Sequence, residues 1–476
     1  MNPLFLRSTL LVMALLTIPA RAVVRLPNVI CDNMVLQQNS EITLWGWADN
    51  GNEVDVKTSW GQSAKTQVES DGSWKLMLKT PPAHPLTDGL HPETITFTMP
   101  NQNTIQIRNV LIGEVWLCAG QSNMVMMNRP GYPAGWCAWY GEQFWKNQES
   151  KNANRPYLRI FNVENTMAIS PQADVKGCLP GIGLEPEDAN GLVRERKNGW
   201  QPCTPDTADD ISAVPYYFGA ALAEKLQVPV GLVTSSVGGS PIRRWMKGGN
   251  IFNGMIAPFG PMYLKGVVWY QGESDIGDPA GVYASHFTQM IQYWRGEFNN
   301  GEMPFYFVQI APFGNNAAAA QLREEQASAL TLKNTGMAVI SDVGDPACIH
   351  PRNKRDVGRR LARQALSKTY GCPDVIADGP IFKSAQLQGG STQVTFSDQG
   401  GGLVSRDGKS LTCFTIAGSD GKFQPAIAEL AGTTVIVTCP HVPQPTEIRF
   451  GWGPSDQPNL MSKSGLPAAQ FRSAIR

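Results

Sequence analysis

The sequence has no excess of charge of either sign, since its 476 residues include 40 Lys and Arg and 40 Asp and Glu. No block of like charge stands out, so the sequence supports neither a nucleic-acid surface nor a patch for anionic membranes. Beyond the N-terminal segment, no apolar run reaches the length of about 18 residues that spans a bilayer. Internal repeats and low-complexity tracts are also absent. At roughly 100–200 residues per domain, we expect two to four domains.

Histidine is scarce, with five in the whole chain. A zinc site needs several His, Cys or carboxylate ligands at matched spacing, and the sequence contains no such group, so we expect no metal. Trp and Gly are abundant by contrast, at 13 and 47 residues. That composition is common in β-domains and in proteins that bind sugars.

The N-terminal segment has the pattern of a signal peptide. Arg7 precedes a nearly continuous apolar stretch over 9–19, and Ala20-Arg21-Ala22 fits the small-x-small cleavage pattern. We therefore predict a signal peptide over 1–22 and a secreted or periplasmic protein. An uncleaved membrane anchor is the alternative.

Export permits disulfides, and the nine cysteines leave at least one unpaired within the chain. We predict the pairs Cys178–Cys203, Cys348–Cys372 and Cys413–Cys439 from their places in the predicted elements. Cys118 lies inside an apolar strand, and we expect it to be a small core residue.

The hydrophobic pattern divides the remainder of the chain into three parts. Residues 23–110 alternate with period two between Asn-Gly and Asp-Gly turns, which predicts a small β-sandwich domain. Over 111–371, apolar strands alternate with helical periodicity, which predicts a doubly wound α/β domain with a parallel sheet. Period two returns over 372–476 and predicts a C-terminal β-rich domain. Residues 125–210 interrupt the α/β pattern, and we interpret them as a loop region that shapes the substrate site rather than as padding.

Four motifs follow predicted strands of the α/β domain. Ligands of open parallel sheets bind outside the carboxyl ends of the strands, so we expect these motifs to lie together. They are Gly120–Met124, Ser236–Pro241, Gln271–Asp275 and Asp345–Pro351.

Each motif offers a chemical role. Ser122 follows a glycine that permits a tight turn, as a nucleophile requires. His350 is the only histidine in a strand-to-helix loop of this domain, and its imidazole could take the Ser122 proton. The Gln271 amide could donate to an oxyanion, and Gly238 and Gly239 permit close backbone approach to a ligand. The simpler alternatives are an N-cap serine, a surface histidine, a solvated loop and a plain Gly-rich turn.

Taken together, the motifs resemble the four sequence blocks of the SGNH hydrolases, in the same chain order. The strings GQSNM, SSVGGSPI, WYQGESD and IHPRNK, with the opening LPNVICDNMVLQQ, are similar to the sialate O-acetylesterase family and related carbohydrate acetylesterases. The resemblance covers nearly the whole chain after the predicted signal peptide. It includes the closing NLMSKSGLPAAQFR, which in that family lies after the β-rich segment and is expected to return to the catalytic domain.

The resemblance implies an SGNH fold and a serine esterase. Ser122 corresponds to the nucleophile and His350 to the base. The backbone N–H of Ser122, the N–H of Gly238 or Gly239, and the side chain of Gln271 would form the oxyanion hole.

Asn123 and Glu273 are expected to support these residues from behind, with Glu273 ordering the neighbouring loops. The resemblance implies no metal and no organic cofactor. The expected partner is an acetylated carbohydrate.

One position departs from the family pattern. Many relatives carry Asp two residues before the base, and here that position is Cys348, which cannot orient an imidazolium as a carboxylate does. We predict that Asp345 replaces it, with Asp342, a backbone carbonyl or a plain Ser-His dyad as alternatives.

The most direct prediction of function is hydrolysis of O-acetyl esters on sialic acid. Acetylated plant polysaccharide, xylan or xyloglucan, is the alternative substrate. A non-catalytic carbohydrate-binding protein and a lipase or thioesterase on the same fold are the alternatives from other classes.

Overall fold

The computed structural model describes residues 24–100, 104–128, 153–175, 199–397 and 400–476. The predicted signal peptide and most of the 125–210 loop region lie outside these residues. None of the helices in the described ranges is long and apolar enough to cross a bilayer.

The N-terminal part of the chain is built from short strands whose side chains alternate between the core and solvent. In β5, for example, every second residue from Trp74 to Leu78 is buried. β2 pairs with β5, and β3 pairs with β4 and β6, all antiparallel. The strands are β1 (Val35–Gln37), β2 (Glu41–Trp47), β3 (Glu53–Thr58), β4 (Ser63–Gln67), β5 (Ser73–Lys79), β6 (Glu93–Thr98) and β7 (Ile105–Gly120).

Strand β7 joins this region to the central sheet without a break. Its first residues pair antiparallel with β6, and its buried second half, from Glu114 to Gly120, pairs parallel with a later strand of the central sheet. The predicted boundary between residues 110 and 111 therefore falls inside one strand. The N-terminal core and one face of the central sheet share a single hydrophobic cluster, which includes Val56, Leu117 and Trp269.

The central sheet has the order β13-β12-β11-β7-β10-β8-β9. Neighbours are parallel except β9, which runs antiparallel to β8. Strand β7 lies in the middle, with β10 on one side and β11 on the other, and in such open sheets a crevice forms at the carboxyl ends of the strands. The remaining strands are β8 (Arg155–Asn162), β9 (Gln201–Cys203), β10 (Val230–Ser236), β11 (Gly266–Tyr270), β12 (Phe305–Val308) and β13 (Thr335–Ala338).

Helices cover both faces of the sheet, as the apolar strands predict, which confirms the doubly wound α/β class. Leu222 and Leu361 pack with Trp116 on one face, and Phe287 and Trp294 pack with Trp269 on the other. The helices are α1 (Ser122–Val125), α2 (Ala213–Leu226), α3 (Asn250–Met255), α4 (Val282–Glu297), α5 (Ala318–Ala327) and α6 (Lys354–Lys368).

The C-terminal part is a pair of antiparallel sheets around their own core, ordered β14-β15-β20-β19 and β18-β17-β21-β23. A two-stranded sheet, β16 with β22, accompanies them. The strands are β14 (Phe382–Gln388), β15 (Ser391–Phe396), β16 (Leu403–Ser405), β17 (Phe414–Ala417), β18 (Gln424–Pro425), β19 (Ile427–Ala431), β20 (Thr434–Thr438), β21 (Glu447–Phe450), β22 (Leu460–Ser462) and β23 (Phe471–Ala474).

The closing segment contacts the central domain through Arg323 of α5, which is 3% exposed. Its guanidinium donates to the side chain of Gln470 at 2.6 Å and to the carbonyl of Gly453 at 2.7 Å. Gln470 in turn donates to the carbonyl of Ala320 at 2.7 Å. These bonds fix the C-terminal chain against α5.

The three predicted disulfide pairings are wrong. Cys348 is disulfide-bonded, but Cys372 is a free thiol. Helix α6 separates these two residues, and its 15 residues give a length of about 22 Å, far beyond disulfide reach.

The other two predicted pairs fail because at least one partner of each is a free thiol. Cys413 and Cys439 are both free and flank strands of different sheets, β17 and β20. Cys203 is also free, and its predicted partner Cys178 lies outside the described residues. Cys118 is buried with a free thiol, as predicted.

Candidate active site

Three of the four predicted motifs meet at the carboxyl edge of the central sheet. Gly120, the last residue of β7, pairs in register with Ser236 of β10 and with Tyr270 of β11. The loops that follow these residues therefore leave the sheet side by side. The fourth motif, the loop before α6, brings His350 to the same place.

Ser122 and His350 are in direct contact. Nε2 of His350 lies 2.9 Å from Oγ of Ser122, and both residues are 4% exposed. Gln121, not Ser122, occupies the N-cap position of α1, and no side chain caps the helix. The hydroxyl is therefore directed to the imidazole, and the N-cap alternative for Ser122 does not hold.

Gly120 is required by the close approach of β11. Its φ is +148°, and a Cβ atom there would lie 2.1 Å from the carbonyl oxygen of Tyr270. Any side chain would force the strands apart. The turn that presents Ser122 therefore depends on glycine at this position.

The imidazole of His350 is held neutral. Burial, and secondly the positive charge of Lys354, lower the pKa of His350 to about 4. At neutral pH the ring therefore carries no charge. A neutral imidazole can accept a proton from the hydroxyl that it contacts.

Neither predicted carboxylate is directed to this ring. Asp345 accepts the backbone N–H of Ala347 at 2.9 Å, within its own loop. Asp342 accepts two hydrogen bonds from Arg360 at 2.6 and 2.7 Å. The structure therefore does not support Asp345 as the acid of a triad, since its carboxylate acts as a loop cap, or Asp342, which is committed to an ion pair.

Gln271 does not have the predicted position of an oxyanion donor. Its Nε2 donates to the carbonyl of Ser240 at 3.0 Å and to the carboxylate of Asp275. Its Oε1 accepts the hydroxyl of Tyr283 at 3.0 Å. Both N–H groups of the amide are thus engaged, because an amide side chain has only two. Gln271, fully buried, supports the loops instead.

Asp275, which lies in the third motif but was not predicted to have a role of its own, is a supporting residue. Its two oxygens accept the backbone N–H of Ile242 at 3.1 and 3.0 Å. Burial raises its pKa to about 6. The carboxylate therefore ties the loop after β11 to the loop after β10.

The Gly-rich loop after β10 presents open backbone. Gly239 has a φ of +65°, and a Cβ atom there would have no neighbour within 4 Å. Ser240 secures the turn, because its hydroxyl donates to the carbonyl of Val237 at 2.7 Å. The N–H groups of Gly238 and Gly239 thus belong to a fixed turn beside the nucleophile strand.

Asn123 and Glu273 lie where supporting residues were expected. The Asn123 amide donates to Oε1 of Glu273 at 2.6 Å and to the carbonyl of Ile349 at 3.1 Å. Burial raises the pKa of Glu273. Asn123 thereby links the nucleophile segment to the loops of Glu273 and His350.

Lys354, which was not among the predicted site residues, completes this network. Its ammonium donates to Oδ1 of Asn123 and to the carbonyl of Pro351 at 2.8 Å. The signal was present: a lysine four residues after the predicted base, at the predicted helix start, where the helix dipole disfavours a cation.

The C-terminal part contacts the loop that precedes His350. Gln457 donates to the carbonyl of Gly344, and Arg406 donates to the carbonyl of Asp342 at 3.0 Å. The backbone N–H of Phe313 donates to the carbonyl of Pro454 at 2.9 Å. The base loop is therefore held from both the central and the C-terminal parts.

In the ranges that the structure describes, no group of three His, Cys, Asp or Glu residues could hold a metal ion. The arrangement that is present is a serine hydroxyl against a neutral imidazole. Such a pair can transfer an acyl group through the serine oxygen.

Comparison with known proteins is consistent with this chemistry. Residues 186–367 match the family described as carbohydrate esterase, sialic acid-specific acetylesterase. The solved structure of a carbohydrate acetylesterase from Xanthomonas citri is 34% identical, with a TM-score of 0.82 over 95% of this chain and 99% of that one.

Curated relatives are less similar in sequence. The sialate O-acetylesterase of Homo sapiens is 28% identical over 76% of this chain and 74% of its own length. That of Rattus norvegicus is 27% identical over 87% of this chain and 86% of its own. The chain therefore belongs to the sialic acid-specific acetylesterase family of carbohydrate esterases.

Proposed function

We propose that the protein is a serine esterase that removes acetyl groups from O-acetylated sialic acid, with Ser122 as nucleophile and His350 as base. The observation that carries this proposal is the 2.9 Å contact between Oγ of Ser122 and Nε2 of His350. The neutral state of the buried ring supports the role of His350 as a base.

The reaction proceeds in two steps. As Oγ of Ser122 attacks the acetyl carbonyl, its proton passes to Nε2 of His350, which then donates it to the departing sugar oxygen. Water attacks the acetyl-serine with His350 again as base. The proton returns to Oγ of Ser122 as the C–O bond of the acetyl-enzyme breaks, and acetate leaves.

The negative oxygen of each tetrahedral intermediate needs hydrogen-bond donors. We assign this role to the backbone N–H of Ser122 and to that of Gly238 or Gly239, because the fixed turn of Gly239 faces open space. Gln271 is left out of this set because its amide is occupied. It acts through Ser240 and Asp275, which fix the same turn.

The substrate assignment rests on the curated relatives, which are named sialate O-acetylesterases. Acetylated plant polysaccharide is the second candidate. The 34% identity to an enzyme described as a carbohydrate acetylesterase, without mention of sialate, supports an acetylated carbohydrate in general and is compatible with either candidate.

A substrate panel distinguishes these candidates. Acetate release is measured from O-acetylated sialic acid, acetylated xylan, acetylated xyloglucan and a long-acyl ester, with Ser122→Ala as the control. The proposal predicts the highest kcat/KM on acetylated sialic acid. A preference for xylan or xyloglucan would replace the substrate, and a preference for the long-acyl ester would contradict carbohydrate acetylesterase activity. Absence of turnover on every ester would favour a binding protein.

We also propose that the protein is exported. The support is the charged, apolar and small-residue pattern of residues 1–22. Mass spectrometry of the N-terminal peptide from the periplasm or medium should find Val23 as the first residue. An intact Met1 on protein recovered from the cytoplasm would contradict export.

A further inference from the structure

A buried lysine bridges the two segments that carry Ser122 and His350. Lys354 is the first residue of α6 and is 2% exposed. Its ammonium donates to Oδ1 of Asn123, the residue after Ser122, and to the carbonyl of Pro351, the residue after His350. A single charged group therefore contacts both neighbours of the reacting pair.

Asn123 binds the residue on the other side of His350 in the chain. Its amide donates to the carbonyl of Ile349 at 3.1 Å and to the carboxylate of Glu273 at 2.6 Å. The carbonyls immediately before and after His350 are thus both fixed by hydrogen bonds. We call Asn123, Glu273 and Lys354 the clamp.

The place of Lys354 is unfavourable for a purely structural residue. Burial disfavours its charged form and lowers its pKa to about 7, and Glu273 opposes this shift. The positive end of the helix dipole adds to the cost of a cation at the first helical position. The helix start is already capped, since Oδ1 of Asn353 accepts the N–H of Asp356 at 3.1 Å. Formation of α6 therefore does not require a lysine here.

The ammonium also acts on the base through its charge. It is the charged side chain that lowers the pKa of His350, after burial itself. Among the described residues, the groups that face Lys354 include His350, Glu273 and the ring of Tyr270, whose centroid is 5.9 Å from Nζ. Asp275 faces Glu273 from the same loop.

We propose that Lys354 is a positioning residue that holds His350 against Ser122 through the clamp and places its positive charge beside the imidazole. The inference rests on the proposed function, because its measurable effect is on hydrolysis by Ser122. Lys354 contacts neither reacting atom, and its role is exerted through the loop and the charge.

Lys354→Met tests both parts of the inference. We expect kcat to fall by about tenfold or more while KM changes by less than about threefold, because the reacting geometry is lost and not the substrate contacts. We also expect the midpoint of the acid limb in the plot of kcat/KM against pH to shift to a higher pH, by about half a unit or more. The reason is that a positive charge near His350 is removed. Lys354→Arg keeps the positive charge and hydrogen-bond donors. Its acid limb should therefore stay at the pH of the wild type, and its kcat should lie between those of the wild type and Lys354→Met.

Lys368→Met is the matched control. Lys368 lies at the other end of α6 and pairs with Asp378 at 3.1 Å near the surface. Its replacement removes one positive charge from the same helix, and all kinetic parameters should stay near those of the wild type.

Two results would overturn the inference. One is a folded Lys354→Met variant whose kcat and acid limb match the wild type. The other is a fall in kcat with an unmoved acid limb, which is what a merely structural role predicts. If the Met variant does not fold, Lys354→Gln, which is neutral but retains donors, carries the same comparison, and an unmoved acid limb there overturns the inference.

The failure of the proposed function has a different signature. A wild-type protein without activity, or a Ser122→Ala variant with full activity, would remove the function itself. Wild-type activity that depends on Ser122, together with normal behaviour of Lys354→Met, would remove only the role of Lys354.

Discussion

Lowering the assay pH from 7 to 5 should leave the His350 base almost entirely neutral, so kcat/KM should not show the steep fall that an ordinary histidine base would cause. Because the pKa of His350 is lowered to about 4, about nine-tenths of the imidazole stays neutral at pH 5. A histidine at its ordinary value of 6.5 would be only about 3% neutral there, and kcat/KM would fall about 25-fold between pH 7 and pH 5.

The assay is acetate release in quenched samples from pH 3.5 to 8, at substrate concentrations well below KM, because kcat/KM reports the ionisation of the free enzyme. Ser122→Ala at each pH gives the background. Because the folded pKa of His350 is the lower one, its contribution to stability is present above pH 6.5 and is lost as the pH falls toward about 4. Each sample is therefore returned to pH 7 to show that the enzyme is intact. An acid limb near pH 6.5 would refute the argument from burial and charge.

Three further predictions concern single residues in the site loops and at the contact between α5 and the closing segment. Gln271→Ala should leave Tyr283 and Asp275 each without a buried hydrogen-bond partner. Each loss should lower the free energy of unfolding by about 1–3 kcal/mol. A loss of kcat with an unchanged Tm would instead restore Gln271 as an oxyanion donor. Gly120→Ala should lower Tm far more than Gly239→Ala, because only the first Cβ meets backbone, 2.1 Å from Tyr270 O, and similar Tm values would contradict this packing. Arg323→Ala removes the hydrogen bond that holds Gln470 of the closing segment against α5. Limited proteolysis should therefore cut near Gln470 sooner than in the wild type. Unchanged cleavage would contradict a role of Arg323 in fixing this segment.

Much of the central fold was predictable because periodicity and burial coincide there. The helical pattern over 281–297 corresponds to α4, and the apolar run Gly266–Tyr270 corresponds to β11. The boundary at 110 was not predictable in the same way. The pattern changes there because β7 passes from a half-exposed sheet into a covered one, although the strand itself continues.

The residues that form the site were predictable from the sequence, but the contacts that these residues make were not. Ser122 and His350 meet because the motifs follow strands and a strand-to-helix loop that end at one edge. Gln271 illustrates the limit: an amide can face an oxyanion or support a loop, and its neighbours Asp275 and Tyr283 decide between the two. The predicted role of Asp345 in a catalytic triad is unsupported for a similar reason, because its carboxylate accepts the backbone N–H of Ala347.

The cysteines show the same limit for covalent contacts. Spacing along the chain suggested that Cys348 and Cys372 bracket a helix and pair across it. A helix keeps its ends apart, and the structure leaves Cys372 reduced. The sequence shows a lysine at the predicted start of α6, but its burial and its hydrogen bond to Asn123 become visible only in the folded structure.

Labelling with a serine-directed fluorophosphonate tests the Ser122–His350 pair most directly. The probe reacts fastest with an activated serine, so mass spectrometry of the digested protein identifies the nucleophile without any assumption about the substrate. We predict one modified peptide that contains Ser122, no modification in Ser122→Ala, and labelling slowed by about a hundredfold or more in His350→Ala. Modification of another serine, or equal labelling of the wild type and Ser122→Ala, would contradict it.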